Sequence, residues 1–344
     1  MFKERIKLYA ELEKLRKSKL LVYVTGDRRG LETQLSQEVL PHFTEHLDKI
    51  GDTEKISLFL YTRGGNTIAA WSIVNLLRSF CKQLEIIVPL HCHSAGTLMC
   101  LGANNIIMTK QATLGPIDPS TNGMMNPLIE HNGQRVRVPV SVEVVSAYLG
   151  MAKEELKITD PRALADIYIA LSEKIHPMSL GEVYRTRSQI QMLAKKLLTK
   201  QGVTEEDKQT PIINFLCSES GSHDYTIYRK EAKEELGLPI EKPDDNLYSI
   251  INSIYKSIET EMLLTVPLEP KILMAATNDL NYSYRRVIVE SLVNGCHVYT
   301  TEGSYNKQPI SIQGPGGAAI QNTSIQDNRT FEGWRHEILS EPKK

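Results

Sequence analysis

Two hydrophobic periods alternate along the first third of the chain. Residues 4–19 place Ile6, Leu8, Leu12 and Leu15 loosely on one stripe, which predicts a helix. Leu20-Leu21-Val22-Tyr23-Val24 is then a compact run of β-formers, closed by Thr25-Gly26-Asp27. Leu31, Leu35, Val39, Phe43 and Leu47 return to helical spacing, with Pro41 as the point where that helix splits. The run from Ile56 to Thr62 is again rich in β-formers and is stopped by Arg63-Gly64-Gly65. Ala69, Ala70, Ile73, Val74, Leu77 and Phe80 make an apolar face with the period of an α-helix, on which Trp71 reads as core packing. The strands Ile86-Ile87-Val88 and Asn105-Ile106-Ile107-Met108 then flank a short helix after Ser94. Strand–helix–strand order over residues 20–110 predicts an α/β fold, a mainly parallel sheet with helices on its faces.

Further along, the pattern changes. Residues 123–139 read as an exposed loop or irregular ribbon, and 141–201 as mostly helical, with a long polar-faced segment from Ser179 to Lys200. Tyr225 to Leu236 reads as a helix that Gly237 ends, with Pro239 just beyond. Leu247, Ile250, Ile251, Ile254 and Ile258 predict an amphipathic helix over 246–264. Pro267 and Pro270 mark a boundary that divides the chain into a large unit, 1–266, and a C-terminal extension, 267–344. In the extension we expect one strand–helix-like stretch, then Gly314-Pro315-Gly316-Gly317 and a partly flexible polar tail.

Composition narrows the function classes. The 344 residues carry 40 basic and 41 acidic side chains, a net charge of −1, so no bulk attraction draws the chain to nucleic acid or anionic lipid. Cys81, Cys92, Cys100, Cys217 and Cys296 are an odd number without a CxxC pair, which fits reduced thiols in a cytoplasmic protein. The first residues, MFKERIKLYAELEKLRKSK, lack the pattern of a signal peptide, and no run approaches the ~18 apolar residues of a membrane span. Neither GxGxxG nor a P-loop is present, so no nucleotide cofactor is expected.

Three local signals bear on chemistry. Thr62-Arg63-Gly64-Gly65-Asn66 sits where a buried strand gives way to a helix; it is a tight turn or a place where backbone N–H groups point outward. Ser94, in His91-Cys92-His93-Ser94-Ala95-Gly96-Thr97, occupies another strand-to-helix corner, as a helix N-cap or as a nucleophile beside a free amide. His91, Cys92 and His93 have no second ligand cluster at metal-binding spacing, so no metal is expected there. Asp118, between Pro116 and Pro119, and His223, in Ser220-Gly221-Ser222-His223-Asp224-Tyr225, are each ordinary alone. Taken together with Ser94 they supply an attacking serine, a base for its proton and a carboxylate to orient that base. The Gly65 and Ala95 amides would serve the oxyanion.

These residues also carry a resemblance. LFLYTRGGNTIAAWSIV, then VPLHCHSAGTLMCLGANNIIMTKQATLGPIDP, and later HDYTIYRKEAKEELGLPI resemble the serine dehydrogenase proteinase family within the Clp-protease-like fold, over roughly residues 20–260. The resemblance implies a Clp/crotonase-type spiral of ββα units and a serine peptidase, ATP-independent by itself, that forms homo-oligomers and takes peptide or protein substrates. It implies Ser94 as nucleophile, Asp118 as orienting acid, His223 as base, and Gly65 and Ala95 as oxyanion donors. Clp proteases order their triad Ser, His, Asp; here the comparable position falls near Ile117 and Asp118 with no histidine at hand, so the order Ser, Asp, His fits better. Many relatives carry an N-terminal membrane anchor where this chain has a charged helix. The extension after Pro267 would gate access, mediate assembly or bind a regulatory partner.

Two other readings compete. A Ser–Lys peptidase of similar fold would draw its base from Lys110, Lys195 or Lys196. A non-catalytic scaffold would keep the fold without the chemistry. His176, His297 and His336 are further candidates for the base, with structural or surface roles as the alternative.

Overall fold

The computed structural model describes residues 2–117, 120–121, 123–131, 133–219, 222, 224–313 and 319–338. Helix α1 (Phe2–Arg16) leads into strand β1 (Lys19–Thr25). The buried face of α1 is Phe2, Arg5, Tyr9 and Leu12; of the expected stripe only Leu12 is fully buried, and Leu15 is exposed. The face rotates because Arg5 finds carboxylates inside the fold, so an inward-pointing cation costs little here. Helix α2 (Leu40–Ile50) carries Pro41 in its first turn, and residues 31–36 are not helical. Proline starts this helix rather than splitting it, since a first-turn N–H needs no intrahelical acceptor.

The chain then runs through β2 (Thr53–Tyr61), α3 (Thr67–Phe80), β3 (Cys81–Val88), β4 (His91–Cys92), α4 (Ala95–Cys100), β5 (Asn105–Met108) and β6 (Thr113–Leu114). Short strands β7 (Ser120–Thr121), β8 (Leu128–His131), β9 (Gln134–Arg137) and β10 (Val140–Ser141) follow, with β8 and β9 forming an exposed antiparallel ribbon. Helices α5 (Val142–Glu154), α6 (Pro161–Lys174) and α7 (Pro177–Gln201) fill the stretch expected to be helical, and α8 (Glu206–Asn214) passes into a π-helical turn, Phe215–Glu219. The helix expected over Tyr225–Leu236 is shorter. Its start is strand β11 (Ile227–Tyr228), and α9 (Arg229–Glu234) occupies the rest, because Ile227 and Tyr228 pair with β6. Strand β12 (Ile240–Glu241) and the amphipathic helix α10 (Asp245–Met262) complete this part.

Among the described residues the main sheet has eight strands. Five run in parallel, in the order β12-β5-β3-β2-β1. The chain after 267 supplies the other three. After the short helix α11 (Pro270–Leu273), strands β13 (Asp279–Ser291), β14 (Gly295–Gln313) and β15 (Ala319–Glu337) continue the same sheet antiparallel, with Val22 opposite Glu290 and Thr25 opposite Val287. A strand–helix stretch was expected here. Strands form instead because Val287 and Val289 enter one core while Ile288 enters the other, an alternation that satisfies both faces of a central sheet.

The same two-sided burial holds in β1. Leu21 and Tyr23 pack with α2, α3, α4 and α7, while Leu20, Val22 and Val24 pack with α1 and α10. A small second sheet, β11-β6-β4, stands beside the main one. The chain thus places a long strand in the main sheet, a short one in the second sheet, and then a helix, as in β3-β4-α4. This ββα order delivers the β4–α4 corner to one edge of the core.

Candidate active site

Ser94 links β4 to α4 with φ 51° and ψ −115°, a backbone conformation that costs a non-glycine residue about 1–3 kcal/mol. The surroundings impose it. His93 N–H donates to the Thr62 carbonyl at 3.0 Å, Thr62 N–H to His91 at 2.9 Å, and the Thr97 hydroxyl to the Cys92 carbonyl at 2.9 Å, so the chain is tied on both sides of the serine. Gly96 lets the first turn close, since a Cβ there would lie 2.6 Å from Thr62 Cγ2 and 2.9 Å from Cys92 Sγ. The N-cap reading required a side-chain bond to the helix, and Ser94 makes none. Its hydroxyl is half-buried and has no hydrogen-bond partner among the described residues, while Ala95 to Cys100 behind it are buried.

The second strand-to-helix junction closes over this corner. Gly64 (φ 109°) approaches so nearly that an added Cβ would stand 2.8 Å from Ser94 Cβ and 3.3 Å from the Ala95 nitrogen. Its own N–H donates to Thr62 Oγ1 at 3.0 Å. Gly65 (φ 140°) is held by Leu35, whose N–H donates to the Gly64 carbonyl at 2.8 Å and whose carbonyl accepts from Asn66 N–H at 2.9 Å. A bridge of that kind engages the residues on either side of Gly65 and directs the Gly65 N–H to the opposite edge. Among the described residues no acceptor meets the Gly65 or Ala95 N–H. The Gly64-Gly65 turn thus stands against the Ser94 corner, and each carries a backbone amide without a partner among the described residues.

Asp118 and His223 lie outside the described residues. The described residues leading toward them converge beside Ser94. Thr113 and Leu114 of β6 pair with His91 and Cys92 on one side and with Tyr228 and Ile227 on the other. Gly115 N–H donates to Thr97 Oγ1 at 3.0 Å, an added Cβ on Gly115 would meet the His93 ring at 3.3 Å, and Ile117 N–H donates to the Leu216 carbonyl at 2.8 Å. His91 and His93 share the Thr113 hydroxyl, at 3.2 and 2.8 Å. Burial, with Arg63 nearby, pulls the His91 imidazole down to about 4, so it is neutral at pH 7.

Residues 38–136 match the family of ClpP-like SDH-type serine proteinases. The resemblance read from the sequence is thereby borne out, and the matched segment contains the Gly65, Ser94 and Ala95 loops. An uncharacterized protein of Methanocaldococcus jannaschii is 30% identical over 203 residues, 58% of this chain and 58% of its own length, so the chain spans little more than half of that relative. A second uncharacterized protein of the same organism is 38% identical over 64 residues, 19% of this chain and 22% of the relative. Among solved structures, a mutant of the 1510-N membrane-bound stomatin-specific protease with a substrate peptide aligns at TM-score 0.36 and 17% identity, over 66% of this chain and 78% of that one. ClpP1 of Listeria monocytogenes aligns at TM-score 0.35 and 13% identity, over 68% and 98%.

The other candidate bases are engaged elsewhere by their described contacts. His176 accepts from Met178 N–H at the start of α7, His297 joins a histidine cluster on α2, and His336 donates to the Asn294 carbonyl at 2.7 Å. Of the lysines, Lys110 lies over the Tyr248 ring, Lys195 pairs with Glu206 at 2.7 Å, and Lys196 lies over Trp71. Sequence reasoning missed Leu35 and Thr97, whose backbone or hydroxyl groups set the two loops; a leucine acting through its main chain leaves no sequence signal. No helix of the described residues is long and apolar enough to cross a membrane.

Proposed function

We propose that this chain is a serine peptidase that hydrolyses peptide bonds through an acyl-enzyme, without ATP of its own. Ser94 Oγ attacks the scissile carbonyl as His223 takes its proton, and His223 then gives that proton to the leaving amine. Water attacks the resulting ester by the same route in reverse, which restores Ser94. Asp118 holds the His223 tautomer and offsets its positive charge. The Gly65 and Ala95 amides bind the oxyanion, a contribution of about 3–4 kcal/mol per donor in a measured protease. The observation that carries this reading is the strained, uncapped Ser94 with the Gly64-Gly65 turn packed closely against it. A structural serine would gain nothing from that strain.

Substrates are peptides or flexible protein segments, and the working form is a homo-oligomer in the cytoplasm. Five free thiols fit that compartment. Val144, Tyr148 and Met151 form an exposed apolar stripe along α5, and a second copy of the chain is the partner that would cover it. The catalytic part is assigned to residues 1–266, and the segment from 267 to assembly or regulation.

A fluorophosphonate probe tests the mechanism, with the modified residue mapped by mass spectrometry. Ser94 should be labelled, and His223→Ala should lose nearly all labelling. A folded, assembled protein with Ser94 unlabelled would overturn the peptidase reading. Full labelling in His223→Ala would instead move the base role to another residue, such as a lysine.

A further inference from the structure

Away from Ser94, four imidazoles collect where α2 meets the antiparallel end of the sheet. His42 and His46 belong to α2, His297 to β14, and His336 stands directly opposite His297 on β15. The His297 ring stacks on His336 at 3.8 Å and lies 4.6 Å from His42 and 5.1 Å from His46, between ring centroids. Trp334 closes the other side of His42 at 4.3 Å. Two of the four rings, His46 and His297, are almost wholly buried, so their ring nitrogens face one another and the protein.

We propose that His42, Glu45 and His297 bind a divalent transition-metal ion of the zinc type, clamping α2 to β14. One ligand atom from each of the three lies within 4.8 Å of the others. His42 and Glu45 are three residues apart on one helix face, and His297 reaches them from the sheet. Bonds of about 2.1 Å at a tetrahedral angle set ligand atoms ~3.5 Å apart. The set must therefore draw in by about an ångström, and the exposed Glu45 side chain has the freedom to do so. Two imidazoles and a carboxylate are donors that suit zinc, with the exposed side left for water.

Two further observations point to an ion. His42 Nδ1 is buried without a hydrogen-bond partner, an arrangement that a polar atom avoids unless something else meets it. The outer partners of His297 are also in place. Glu45 faces His297 Nε2 at 3.1 Å, His46 Nε2 meets His297 Nδ1 at 3.0 Å, and His46 Nδ1 meets Ser291 Oγ at 2.7 Å. With its proton on Nε2, His297 would donate to Glu45. When an ion takes Nε2, the proton moves to Nδ1 and is accepted by His46, whose own proton turns toward Ser291. That pair of outer contacts presents Nε2 as a ligand and fixes the ring.

Untagged protein titrated with zinc chloride and, separately, cobalt(II) chloride tests the proposal. One zinc should bind per chain and raise the melting temperature, because it binds the folded state alone. Cobalt should give a visible d–d band without a thiolate charge-transfer band, which excludes the cysteines. Glu45→Gln, at an exposed position, should weaken zinc binding by at least about tenfold and remove most of the melting shift. His42→Ala should do the same, with circular dichroism verifying the fold of both variants. The proposal is overturned by absent binding at micromolar zinc, by thiolate bands with cobalt, or by unchanged affinity in both folded variants.

Discussion

Buried polar groups are handled in opposite ways at two places in this molecule. Between α1, α10 and β13, the Arg5 guanidinium is wholly buried and donates to Glu290 on one side and to Glu261 and Ser257 on the other, while the Tyr9 hydroxyl also donates to Glu290. At the β4–α4 corner, Ser94 holds a strained backbone, and its hydroxyl and the neighbouring Gly65 and Ala95 amides have no protein partner among the described residues. The first region satisfies its charges and locks the C-terminal strands onto the N-terminal helix. The second keeps hydrogen-bonding capacity unused, at a cost the rest of the fold supplies. Stability resides in the network, and the proposed chemistry in the corner.

The largest effect should come from Ser94→Ala, which removes the proposed nucleophile. Peptidase activity should fall by a factor on the order of 10⁶, or ~8 kcal/mol of barrier, with the melting temperature nearly unchanged. A variant that retained even a hundredth of the activity would break the comparison. Glu290→Ala should do the reverse. Removing one of the two carboxylates that pair with the buried Arg5, and the acceptor of the Tyr9 hydroxyl, should destabilise the fold by about 3–5 kcal/mol in urea titrations. Below the unfolding transition, the molecules still folded should react with the probe at the wild-type rate.

Gly64→Ala should damage both properties. Its Cβ would stand 2.8 Å from Ser94 Cβ at a φ of 109°, so a loss of about 3 kcal/mol in stability and on the order of 10²-fold in kcat is expected. Retention of wild-type kcat would show that the two loops need not be in register.

The histidine cluster sets the pH dependence. Burial and mutual repulsion lower His46 to about 3 and His297 to about 4 from the ordinary 6.5, and His42 also falls. The unfolded chain therefore takes up protons first. Stability should be flat above about pH 6.5 and fall on the order of 2 kcal/mol by about pH 5.5, continuing down toward the folded values. Denaturant titrations across that range check the sign, and Glu290→Ala should keep this slope if the two regions are independent. The smallest effect is expected from Ser94→Gly, which relieves the positive φ. It should raise stability by about 1 kcal/mol while abolishing labelling. A fall in melting temperature would mean that the corner stores no strain.

Much of the parallel sheet was legible because its strands are continuous apolar runs bounded by glycine and polar turns, as from Leu20 to Val24 and from Ile56 to Thr62. Ser94, Gly65 and Ala95 were legible because a strand-to-helix corner is a local pattern. Less was legible where local preference yields to distant partners. Arg5 reads as a surface residue until Glu290 is found opposite it. Ile227 and Tyr228 read as helix until β6 offers a ladder. The helical spacing from Leu31 to Val39 is overruled by Leu35, whose main chain is recruited to hold Gly64 and Gly65.

The sequence by itself determined the alternation of strands and helices over residues 20–110, the serine at a sharp corner, and the glycines that a close backbone approach requires. Each of these depends on side-chain size, period and φ, which neighbours along the chain specify. Only the tertiary structure decided that the last strands join β1, that Leu35 aims the Gly65 amide outward, and that His42, Glu45 and His297 meet. Those contacts join residues up to hundreds of positions apart. Their energy comes from burial and pairing, which exist only once the sheet has closed around them.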